Sequence, residues 1–139
     1  MTNNTYKNMN SSELLVLFKD QLLQFTDELL EIFENEPKLI LLRVYIENNL
    51  EIEPTVSKFN KAICGPLDLK EMIKNRNAKF FMEYDLMKLN NNSEQEQANF
   101  MLQLWDDQRL EDEDKETIWK WVDLFVSIAG CYSSKKEKE

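Results

Sequence analysis

The chain is expected to be all-α, a compact bundle of about five to seven helices. Three observations predict this. Leu14, Phe18, Leu22, Phe25, Leu29 and Ile32 recur three or four residues apart, the spacing that lines side chains along one face of a 3.6-residue helix. Glycine occurs twice and proline three times in 139 residues, too little punctuation for the tight turns of a sheet protein. No stretch alternates apolar and polar residues in period two, and no Asn-Gly or Asp-Gly marks a hairpin.

Residues 1–10 are polar and lack periodicity, which predicts a disordered lead before a single helical domain over residues 11–132. The first helix should begin near Asn10, whose side chain can cap a free N–H while Glu13 returns the bond three residues on. Asn35-Glu36-Pro37 ends it, since the residue before a proline is driven from helical geometry. Pro37 can open the second helix, with Leu39, Leu42, Tyr45, Ile46 and Leu50 as its apolar side. Pro54 repeats the device for a short third helix carrying Val56, Phe59 and Ile63, which Gly65-Pro66 stops.

From Asp68 a short helix should carry Leu69, Met72 and Ile73, breaking at Asn75-Arg76-Asn77. Phe80, Phe81, Tyr84 and Met87 predict another, followed by an Asn90–Ser93 linker and a helix within residues 94–105 bearing Phe100, Leu104 and Trp105. The acidic run Glu111-Asp112-Glu113-Asp114 suits the start of the last helix, where the backbone dipole favours negative charge. That helix should reach about Cys131, leaving residues 133–139 as a charged, frayed tail.

The last helix is apolar over an unusually wide arc. Ile118, Val122, Phe125, Ala129 and Tyr132 share one direction; Trp121, Leu124 and Ile128 extend it to one side, Trp119 and Val126 to the other. The arc spans roughly 220°, where a surface helix needs little more than 100°. Either the helix is central, or the flank of Trp121, Leu124 and Ile128 is a partner surface and stands partly exposed in the lone chain.

Charge and composition exclude several functions. The formal net charge is −9, which repels phosphate. The complete absence of histidine removes imidazole bases, Ser-His and Cys-His pairs and histidine metal ligands. Cys64 and Cys131 are too far apart in sequence for a zinc or redox motif and read as free thiols. The acidic stretch Asp106–Asp114 lacks the glycine turn a calcium loop requires. No cofactor, metal or catalytic constellation is expected, and no apolar run approaches a membrane span. One segment runs against the overall sign. Lys58, Lys61, Lys70, Lys74, Arg76 and Lys79 face only Asp68 and Glu71, a local +4 that leaves −13 for the remainder. With Phe80 and Phe81 adjacent, it is a candidate basic patch for nucleic acid with stacking rings.

Phe18-x-x-Gln21-Leu22-x-x-Phe25-x-x-Glu28-Leu29, then Pro66, Ile73 and Phe80-Phe81, and finally Glu113 to Lys120 with Tyr132, together form one pattern. Over about residues 13–132 it resembles a group of short helical proteins of unassigned function encoded by nucleocytoplasmic large DNA viruses. The Asp106–Asp114 segment and the Asn-rich linker depart from that pattern. The resemblance implies a viral, non-enzymatic helical protein and virion component. Residues 1–12 are polar and Asn-rich rather than basic followed by apolar, so no signal peptide is expected and the setting expected is intracellular, host cytoplasm or virion, rather than secreted. The function expected is therefore protein–protein interaction, with another protein or itself as partner. The alternative is a nucleic-acid-associated protein using residues 58–79.

Overall fold

Asn10 opens the first helix as its sequence predicts. In the computed structural model, which describes residues 6, 8–66, 68–84 and 100–139, the Asn10 side chain accepts from the Glu13 N–H at 2.8 Å. The Glu13 carboxylate accepts from the Asn10 N–H at 2.9 Å, so each end of the pair satisfies a donor the helix cannot. Helix α1 then runs Ser11–Ile32, burying Leu14, Phe18, Leu22, Phe25 and Leu29, the stripe that spacing alone marks out. Phe33, fully buried, closes it, and Asn35 turns the chain at φ 63°, a left-handed conformation that asparagine tolerates.

Pro37 is the first residue of α2, Pro37–Asn48, where its missing N–H costs nothing. Helix α3, Ile52–Ile63, starts two residues before Pro54 rather than at it. The physical reason is the same: proline fits anywhere in a first turn, because those N–H groups have no intrahelical partner. The first turn closes when the Thr55 N–H reaches the Glu51 carbonyl at 3.3 Å. Helices α4, Leu69–Lys74, and α5, Phe80–Glu83, flank the expected break. Within that break Arg76 takes φ 54°, a strained choice for a long side chain. Its guanidinium holds the turn by donating to the Ile73 carbonyl at 3.2 Å and to both oxygens of Asp123, at 3.1 and 2.9 Å. Helix α6 is Phe100–Trp105, and α7 is Asp112–Lys138. Met87, the Asn90–Ser93 linker and residues 94–99 of the helix expected within 94–105 lie outside the described residues. Among those described there is no strand, and the all-α bundle stands.

The tail departs from expectation. Helix α7 continues through residues 133–138 instead of fraying after Cys131. Long-range partners that no local pattern reveals carry it onward. The Tyr132 hydroxyl donates to Glu53 of α3 at 2.7 Å, and the Glu139 carboxylate accepts from the Ser11 N–H and hydroxyl at the start of α1. Of the residues 1–10 expected as a disordered lead, 1–5 and 7 lie outside the described residues; Tyr6 is buried, and that burial and, less, Cys131 raise the pKa of its phenol.

Helix α7 lies at the centre, packed against α1, α3 and α4, while α2 packs chiefly on α1. Ten aromatic rings connect through the interior. From Trp121 the contacts pass through Phe25, Phe125, Phe18 and Phe59 to Tyr84. From Tyr84 they continue through Phe80 and Phe81 to Trp105 and Trp119. Each fully buried large side chain contributes roughly 1.5–3 kcal/mol of burial. The column therefore ties helices from both ends of the sequence into one core.

Candidate interaction surfaces

Helix α7 divides its wide apolar arc between core and surface. Ile118, Val122, Phe125, Ala129 and Tyr132 are all buried, as their shared direction predicts. Trp119, on one flank, is covered by Phe81 at 5.0 Å, Trp105 at 5.5 Å and Phe80 at 6.1 Å. On the other flank Trp121 and Leu124 are half-buried, but Ile128 is fully buried. Ile128 therefore leaves the candidate partner surface, which reduces to Trp121 and Leu124. Part of the arc is wide simply because the helix is central.

Trp121 stacks on Phe125 at 6.0 Å and donates its indole N–H to Glu28 at 3.2 Å. Beside it, α1 and the first turns of α7 enclose a cleft of about 380 Å³. Phe25, Leu29 and Ile118 form its floor, while Glu28, Glu31 and Asp114 supply carboxylates at its rim. Among the described residues no lysine or arginine lines it.

The basic segment is dispersed. Lys58 and Lys61 stand exposed on α3, Lys70 and Lys74 on α4, and Lys79 in the turn before α5. Lys70, Lys74 and Arg76 line one groove of about 660 Å³, together with Glu71 and Asp123. Arg76 is engaged there, bonded to Asp123 and 3.5 Å from Glu116, and these carboxylates raise its already high pKa. The adjacent rings are not available for stacking: Phe80 and Phe81 are both fully buried. That corrects the sequence-based pairing of basic patch with exposed aromatics; the two phenylalanines belong to the core.

Sequence spacing missed the outer face of α2. Leu39, Leu42 and Ile46 are buried as expected, yet Leu41 is 68% exposed, Val44 49% and Ile40 44%. Residues three and four apart are neighbours on a helix, so these three form one patch. Arg43 neutralises its edge, pairing with Asp27 of α1 at 2.6 Å and Glu47 at 3.3 Å. The sequence carried a signal: residues 39–46 read Leu-Ile-Leu-Leu-Arg-Val-Tyr-Ile, apolar around nearly the whole helix. Val16 of α1 is also 62% exposed. It lies one turn before Lys19, whose ammonium donates to the Glu47 carbonyl.

Chemistry is sparse. Among the described residues no group of three histidine, cysteine or carboxylate side chains is placed to hold a metal ion. Cys64 is exposed and Cys131 half-buried, and they are not joined. No described helix is long and apolar enough to cross a membrane. The chain matches no protein-family model, no curated protein and no solved structure.

Proposed function

We propose that the chain is a non-enzymatic helical interaction module, binding another protein or a second copy of itself. The observation that supports it is the outer face of α2, where Ile40, Leu41 and Val44 stand together in water on a helix whose buried side already meets α1. Contiguous aliphatic exposure of this kind marks interaction surfaces more often than scattered single residues do. The resemblance to large-DNA-virus proteins adds a setting to the proposal, that of a virion structural or adaptor component.

The test replaces Leu41 and Val44 together by aspartate. Both side chains point to solvent, so helicity and melting temperature should hold while self-association, or capture of a partner from infected cells, is lost. Association unchanged in the double variant, by sedimentation and by cross-linking, overturns the proposal for this face.

The alternative use of residues 58–79 on nucleic acid draws support from the groove of Lys70 and Lys74. It is weakened by the burial of Phe80 and Phe81 and by the internal pairing of Arg76.

A further inference from the structure

The three tryptophans differ in one respect that bears on the cleft between α1 and α7. Trp105 has the Lys115 ammonium over its ring at 5.5 Å, and Trp119 has the Arg76 guanidinium at 5.8 Å. Cations also cover Phe33, from Arg109 at 4.9 Å, and Phe100, from Lys38 at 5.1 Å. Trp121 has no such cation among the described residues, although it is half-exposed and lines a concavity that holds Glu28, Glu31 and Asp114. Glu28, Glu31 and Asp114 stand at that concavity, and none of them makes an ion pair among the described residues.

From this we infer that the cleft is a docking site for an arginine- or lysine-bearing segment of a partner protein. The apolar stem of such a side chain fits over Phe25, Leu29 and Ile118, and its head meets the open face of Trp121 within reach of the carboxylates. A volume of about 380 Å³ accepts one or two side chains rather than a folded domain. The occupant is thus a short basic segment. Charge complementarity selects it: an acidic rim with no counter-cation among the described residues, on a chain of net charge −9, attracts cations and disfavours anions. Glu28 has a second task there, since the bond it accepts from the Trp121 indole fixes the ring at the wall of the cleft. This inference rests on the interaction-module reading and adds the chemistry of the partner.

The experiment titrates the full chain with a capped peptide of alternating leucine and arginine, and with the same peptide carrying neutral citrulline for arginine. Binding is followed by the Trp121 indole N–H and the backbone amides in nitrogen–proton correlation spectra. The arginine peptide should move Trp121 and residues 28–32 and 114–121 saturably, and high salt should reverse the shifts. The citrulline peptide should leave them in place. Glu28→Gln combined with Glu31→Gln should weaken binding about tenfold. Both positions are exposed, and glutamine retains helix propensity and an acceptor for the indole, so the fold serves as its own control. Equal response to both peptides, indifference to the double variant, or shifts confined to α2 would each overturn the assignment. If the peptide fails while the α2 aspartate variant still loses association, the cleft falls alone. If neither surface responds, the module reading falls with it.

Discussion

Phe125 shows how a single residue is set by its neighbours. Its ring meets Phe18 at 5.1 Å, Phe25 at 5.7 Å and Trp121 at 6.0 Å, with almost none of its surface left to solvent. Phe125→Ala should cost about 3–5 kcal/mol in denaturant unfolding, because the column around it cannot collapse into the space. Tyr132 makes a different kind of contribution. Burial, then the hydrogen bond to Glu53, push its phenol from 10.0 up to about 12. The fold therefore favours the protonated phenol, and this stabilisation is complete below pH 10 and lost as pH rises through about 12. Glu53 behaves oppositely. The bond from Tyr132, and then that from Ser57, lower its carboxyl below 4.5, so its contribution is present above that pH and lost as pH falls through the depressed value. Melting temperature should thus decline at both extremes, and Tyr132→Phe should flatten the alkaline decline and reduce the acid one. An unchanged profile in the variant would show that the pair does not couple folding to pH. At this scale the buried stripe of α7 was legible from spacing. Burial of Ile128 was not, because a flank on a central helix is covered by elements whose placement depends on the whole chain.

Among elements, α1 was the most readable, for its cap, its stripe and its proline stop all lie within a few residues of the helix itself. The end of α7 was the least readable. Its last turns rest on Ser11, more than a hundred residues earlier in sequence, and on Glu53, so a tail that looks like frayed charge remains helical. Removing residues 133–139 should shorten the helix seen by far-ultraviolet dichroism and lower the melting temperature. A truncated chain with the original melting temperature would mean the tail contributes nothing to the bundle. The outer face of α2 escaped sequence reading for another reason. A helix apolar on most sides offers several stripes, and only the position of α1 decides which is buried. Basic residues 58–79 likewise read as one patch in sequence but fall on α3, α4 and the turn before α5, which scatters them.

For the whole molecule, charge and core work separately. A field of −9 opposes any phosphate held by Lys70 and Lys74, so binding to DNA or RNA should be weak and disappear at modest salt. Tight binding that survives physiological salt and collapses with Lys74→Glu would return the basic segment to prominence. The interior is apolar and aromatic, with the buried Thr26 hydroxyl donating to the Leu22 carbonyl at 2.8 Å. The two surfaces proposed for recognition, α2 and the Trp121 cleft, lie at the periphery of this packed centre. Native-state amide hydrogen exchange of the full chain tests that centre most directly. The expected result is that amides of residues 118–132 exchange only through global unfolding, together with those of residues 18–29, while residues 37–48 open more readily. Exchange of residues 118–132 at the rate of a frayed helix, with protection concentrated in α2 instead, would contradict the central place given to α7.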